Sequence, residues 1–173
     1  ENLIIAGIIS SVVGDSNVAV LAGRSLSNNR VHNVMVSAAV EGGNYVAALI
    51  GSIYATTYIE NVFVSGVVTG NENVGGLVGS INPYSSDRTL QGSISQSLSS
   101  VVVLGNKFVG GMVGNANSYY VIRNSYWSKD TSGQVYSAKS SEENSYVGID
   151  LSTLKCAISE NTDSSTGCVS VDG

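Results

Sequence analysis

Charged side chains are scarce in this chain. Only 12% of its residues are Asp, Glu, Lys or Arg, about half the usual share. The balance is acidic, with a net charge of −5. Phosphate recognition needs clustered Lys and Arg, so a nucleic-acid partner is excluded. No apolar run reaches the ~18 residues of a spanning helix, so no membrane span is expected. The apolar opening from Leu3 to Val13 is broken by Gly7, Ser10 and Ser11 and has no basic flank. It does not read as a secretory leader. Two readings of Glu1 stay open, the first residue after a removed leader or a cut inside a longer chain. Histidine occurs once, as His32, and proline once, as Pro83. No HExxH, paired CxxC, P-loop or GxSxG pattern is present, and a catalytic site needs such groups clustered. No cofactor and no enzyme activity are expected.

What the chain has in excess is Gly, Val, Ile, Ser, Thr, Tyr and Asn, a set of β-branched, aromatic and turn residues that favours an all-β fold. Its organisation is a repeat. Val18-Ala19-Val20-Leu21-Ala22-Gly23, Val46-Ala47-Ala48-Leu49-Ile50-Gly51, Val74-Gly75-Gly76-Leu77-Val78-Gly79 and Val109-Gly110-Gly111-Met112-Val113-Gly114 start 28, 28 and 35 residues apart. A second landmark keeps the same register: Val31-His32-Asn33, Ile59-Glu60-Asn61, Ile94-Ser95-Gln96 and Ile122-Arg123-Asn124, with Leu3 standing 28 residues before Val31. The seven extra residues fall in 81–93, which holds the proline and reads as a loop bulging from one corner.

A period of this size means stacked units, because one unit cannot bury its own apolar face. The expected fold is an all-β parallel β-solenoid of about four 28-residue coils, approximately 3–30, 31–58, 59–93 and 94–121, with a fifth beginning at 122. Repeats thus occupy 1–127, and 128–173 form a degenerate coil and C-terminal cap. The rival β-sandwich would show turn signals without this register. Val18, Leu21, Val46, Leu49, Val74, Leu77, Val109 and Met112 are assigned to interior columns, with the six-residue repeat read as one strand. Asn33, Asn61, Gln96 and Asn124 are assigned to an amide ladder, each side chain satisfying its neighbour and the backbone at a corner.

These residues resemble the GLUG-motif repeat family. Gly76-Leu77-Val78-Gly79 matches its signature fully, and Gly111-Met112-Val113-Gly114 substitutes Met. Ala48-Leu49-Ile50-Gly51 and Val20-Leu21-Ala22-Gly23 lack the first Gly. Asn124-Ser125-Tyr126-Trp127 and Thr131-Ser132-Gly133-Gln134 also look like the close of such an array. The likeness covers roughly residues 1–155. It implies a stalk or binding module of a large prokaryotic surface or secreted protein, adhesins and immunoglobulin-A-protease-like proteins included, and it carries no catalytic residues.

Three candidate sites follow. Tyr84, Tyr119 and Tyr120 form a candidate ligand or partner surface, since exposed Tyr rows stack on sugars or proteins. Leu3, Ile4, Ile5 and Ile8 form a candidate assembly edge, because an uncapped solenoid end promotes coil-to-coil association. Cys156 and Cys168 sit in a short polar tail and are read as a disulfide, which places the chain in an oxidising compartment. His32 is read as solvent-facing, and the acidic turns at Asp15, Glu41 and Glu72 as solvated rather than Ca²⁺-binding. The expected function is a non-enzymatic extracellular or cell-surface structural and adhesive module, a stalk or a self-assembling fibre subunit. Its partners are further copies of itself, or a host or cell-surface glycan or protein. The alternative is an accessory repeat or glycan-binding region of a larger secreted, protease-like enzyme.

Overall fold

The computed structural model describes residues 3–81, 92–116, 120–138 and 148–149. The fold is all-β with parallel sheets. In chain order the strands are β1 (Leu3–Val13), β2 (Ser16–Val18), β3 (Ala22–Ser25), β4 (Asn29–Glu41), β5 (Asn44–Ala47), β6 (Ile50–Ile53), β7 (Thr57–Thr69) and β8 (Glu72–Gly75). There follow β9 (Val78–Ile81), β10 (Ser93–Ser95), β11 (Leu98–Leu104), β12 (Lys107–Gly110), β13 (Val113–Asn115), β14 (Val121–Arg123) and β15 (Tyr126–Ser128). A one-turn helix α1 (Lys129–Ser132) and β16 (Gly148–Ile149) complete the set.

Three sheets share these strands. The largest runs β1-β4-β7-β11-β15-β16, with β10 pairing β7 and β14 beside it. The second runs β12-β8-β5-β2, and the third β13-β9-β6-β3. Partners stand 28 residues apart in the early strands, as in Val18 opposite Val46 and Ile50 opposite Val78. They stand 35 apart across the long unit, as in Val74 opposite Val109 and Ile59 opposite Ile94.

The six-residue repeat is two strands, not the single strand expected. β8 ends at Gly75, the chain turns through Gly76 and Leu77, and β9 begins at Val78. The corner is tight: a Cβ on Gly75 would lie 2.0 Å from the Val78 carbonyl oxygen. Leu77 points inward there, so Val74, Leu77 and Val78 are all fully buried. Corners hydrogen-bond to corners, with the Leu49 N–H donating to Leu77 O and the Leu77 N–H to Met112 O. The repeat's last glycine packs backbone on backbone, since a Cβ on Gly79 would meet Gly51 O at 2.5 Å.

The core lies between the three sheets. Val46, Leu49, Val74, Leu77 and Met112 are completely buried and Val18 nearly so. Burying a side chain of this size is worth about 1.5–3 kcal/mol. Leu21 and Val109 are half-buried, because Leu21 belongs to the first set of strands and Val109 lies on the edge strand β12. One interior column runs Val36, Val64, Ser99, Trp127. It bounds the space at the second position of the repeat's small pair in the third and fourth copies. A Cβ on Gly76 would meet Ser99 Oγ, and one on Gly111 would meet the Trp127 ring, both at 2.1 Å.

The first strand departs from the 28-residue register. Leu3 stands opposite Val34 and Ile4 opposite Met35, and a bulge between Ala6 and Ser11 restores the spacing, so that Ser11 meets Ala39. The bulge absorbs the extra residues of β1.

At the other end the chain folds back over the exposed corner. The Gly111 N–H donates to Tyr136 O, and the Met112 and Val113 N–H groups to Ser137 O. Ser128 caps α1, accepting from the Thr131 N–H at 3.2 Å. Gly133 ends the helix in the left-handed conformation, φ 66°. Trp127 is buried and donates from Nε1 to Gln134 O (2.9 Å), while Gln134 Nε2 donates to Val103 O (3.1 Å).

Candidate functional site

Two columns of residues turn the chain by adopting positive φ. The first is Asn33, Asn61, Gln96 and Asn124, with φ between 46° and 55°; the second is Asn17, Tyr45, Asn73 and Phe108, with φ between 52° and 59°. Asn tolerates this conformation better than most residues. The left-handed backbone is thus a further reason for the first column's asparagines, beside the amide ladder at a corner that the sequence suggested. One rung of that ladder is closed: Asn61 Nδ2 donates to Asn33 Oδ1 at 2.7 Å. Among the described residues Gln96 and Asn124 make no such amide–amide bond.

The second column also recruits side chains. Ser52 Oγ donates to Asn17 Oδ1 (2.5 Å), and Asn115 Nδ2 donates to Asn73 Oδ1 (3.1 Å). Ser80 stands between Ser52 and Asn115 in the same sheet row, and Tyr45 holds the matching corner. Tyr45 has no amide oxygen to offer, and among the described residues the buried Ser80 Oγ lacks a hydrogen-bond partner.

On the outer surface of the largest sheet, the first column borders a groove of about 570 Å³. Asn33, Asn61 and Gln96 line one side and Met35, Phe63 and Leu98 the other. Val34 and Val62, themselves buried, form its floor. Both rows are in register, Met35 opposite Phe63 and Phe63 opposite Leu98, with Tyr126 continuing the line beyond Leu98. Every one of these side chains is uncharged. The adjacent exposed row carries His32, Glu60 and Arg123 with the half-buried Ser95, a mixture of signs.

Tyr120 does not belong to an exposed surface. It is 6% exposed and part of the core. Its ring lies against Gly92, and its hydroxyl donates to Thr57 O at 2.7 Å. Burial, with a smaller contribution from Tyr58, pushes its phenol well above the ordinary value of 10.0. Of the proposed tyrosine surface, Tyr84 and Tyr119 lie outside the described residues, as do Cys156 and Cys168. The tyrosines nearer solvent carry arginines: Arg24 lies 5.8 Å from the Tyr54 ring centre and Arg30 5.7 Å from that of Tyr58.

The polar turns stack as well. Asn106 Nδ2 donates to Asn71 Oδ1 (3.0 Å), and Lys107 Nζ pairs with Glu72 Oε1 (2.8 Å). The lysine of the fourth turn thus answers the carboxylate of the third. This exposed pair contributes about 0–1 kcal/mol. Among the described residues no group of three or more His, Cys, Asp and Glu converges, and no helix is long and apolar enough to cross a membrane. Leu3, Ile4, Ile5 and Ile8 lie in β1, which among the described residues pairs with β4 alone. Comparisons with protein-family models, with curated proteins and with solved structures found no match.

Proposed function

We propose that the chain is a non-enzymatic extracellular scaffold of the GLUG-repeat type, a parallel β-solenoid of about four coils that serves as a surface stalk or fibre segment. One observation carries this reading. The offset between paired strands changes from 28 to 35 residues at the same unit in all three sheets, which is how successive coils of one wound chain behave. A stack of this kind gains stability unit by unit and has no need of a cleft.

Among the described residues, the end of the stack formed by β1, β2 and β3 has strand partners on one side only. Unpaired N–H and C=O groups on an edge strand recruit another strand. In this reading that end is continued by a further coil, either of the same polypeptide or of a second copy. The opposite end is covered by the return of residues 136–138 over the last corner.

Negative-stain electron microscopy of the protein from its native source, paired with intact mass, tests the proposal. Filaments built from a chain of this mass make it a fibre subunit. An extended particle of larger parent mass makes it a stalk, and a catalytic domain in that parent makes it an accessory region of a secreted enzyme. Isolated compact particles of this mass overturn the scaffold reading.

A further inference from the structure

The groove beside the left-handed column has a chemistry that the scaffold role does not use. One wall is a row of carboxamides and the other a row of apolar side chains, each repeating once per strand, that is every ~4.8 Å. The carboxamides keep hydrogen-bonding capacity: Asn61 uses its Nδ2 on Asn33, and Gln96 makes no side-chain hydrogen bond among the described residues. A carboxamide both donates and accepts, as a hydroxyl does. The facing wall offers Phe63 flanked by Met35 and Leu98, a platform for an apolar ring face.

We propose that this groove binds a neutral polysaccharide lying along the stack. A sugar ring presents hydroxyl edges and C–H faces, which match the two walls. The uncharged lining sets the class, because an acidic glycan calls for Arg or Lys at the contact. A peptide added as a strand fits poorly: it needs unpaired backbone groups, and the β4, β7 and β11 backbones are paired with one another here. The proposal goes beyond the scaffold reading and is tested separately from it.

The test is affinity electrophoresis and calorimetry on the whole chain. The neutral probes are laminarin, mannan and hydroxyethylcellulose; the charged ones are heparin and polygalacturonate. At least one neutral polymer is expected to retard the protein, with no sensitivity to added salt. Asn61→Gly and Gln96→Gly delete the carboxamides, while glycine accepts the φ of 52° and 50° at these sites. Each is expected to weaken binding about tenfold, the worth of one hydrogen bond. Unchanged circular dichroism is required of both variants, and Lys107→Ala, on the distant turn, is expected to bind as the parent does. No retardation by any neutral probe overturns the proposal, as do retardation by charged probes alone and equal binding by N61G and Q96G. None of these outcomes bears on whether the protein forms filaments.

Discussion

At the scale of single residues, the left-handed corners show where this chain is best and worst adapted. Asn17 and Asn73 suit their conformation and accept a hydrogen bond from the neighbouring strand. Tyr45 is a bulky residue held at φ 59° with no amide oxygen to offer, and among the described residues the buried Ser80 hydroxyl has no hydrogen-bond partner. A bulky residue in this region costs about 1–3 kcal/mol, and an unsatisfied buried hydroxyl costs about as much. Tyr45→Asn is expected to stabilise the protein by about 1 kcal/mol after the loss of tyrosine packing, read as a higher urea midpoint at unchanged slope. Gly79→Ala is the opposite case. Its methyl would sit 2.5 Å from Gly51 O, and backbone cannot yield as a side chain can. A loss of about 3 kcal/mol is expected in the same assay. The recurrent Asn was visible in the sequence. Its conformational meaning was hidden because Tyr45, Gln96 and Phe108 occupy equivalent corners with residue types that give no sign of positive φ.

At the scale of elements, the repeat period located which segments stack, whereas the chain direction at each corner was not legible. Val-Gly-Gly-Leu-Val-Gly alternates no more like two short strands than like one, and only the close approach of Gly75 to the Val78 carbonyl makes the turn evident. The bulge in β1 was equally hidden, since Leu3 and Val31 are interchangeable in character. The closing element is the most informative to perturb. Trp127 roofs Gly111 and is tied by its indole N–H to Gln134 O. Trp127→Ala is expected to cost about 3–5 kcal/mol, with hydrogen exchange rising first in β12 and β13. Tyr120 gives a pH signature. Its phenol is raised in the folded state, so its contribution is complete below 10.0, the unfolded value, and drains away as pH climbs above it. Alkaline titration followed by circular dichroism is expected to show unfolding that Tyr120→Phe makes less steep. At neutral pH the same variant leaves Thr57 O without its 2.7 Å donor, a loss of about 1–2 kcal/mol.

At the scale of the whole molecule, the scarcity of charge and the shared register make one consistent picture. Stability is spread over repeated interior columns, so damage to one unit is expected to weaken its neighbours most. The oxidising setting inferred from Cys156 and Cys168 is open to direct measurement. Denatured, unreduced protein is expected to take up no thiol label, and reduction to lower stability by about 2–3 kcal/mol. Two labelled thiols would place the chain in a reducing compartment instead. The change of offset from 28 to 35 residues has a further consequence. The sheets keep their pairing on both sides of it, from Ile53 opposite Ile81 to Ser93 opposite Val121. The connection between Ile81 and Gly92 is therefore a site where length is decoupled from architecture. Each doubling of a loop costs only about 0.6 kcal/mol. A foreign epitope spliced between Ile81 and Gly92 is expected to leave the pairing of the sheets, and so the stability, nearly unchanged, which makes this connection a natural graft point for a vaccine or enzyme-display carrier.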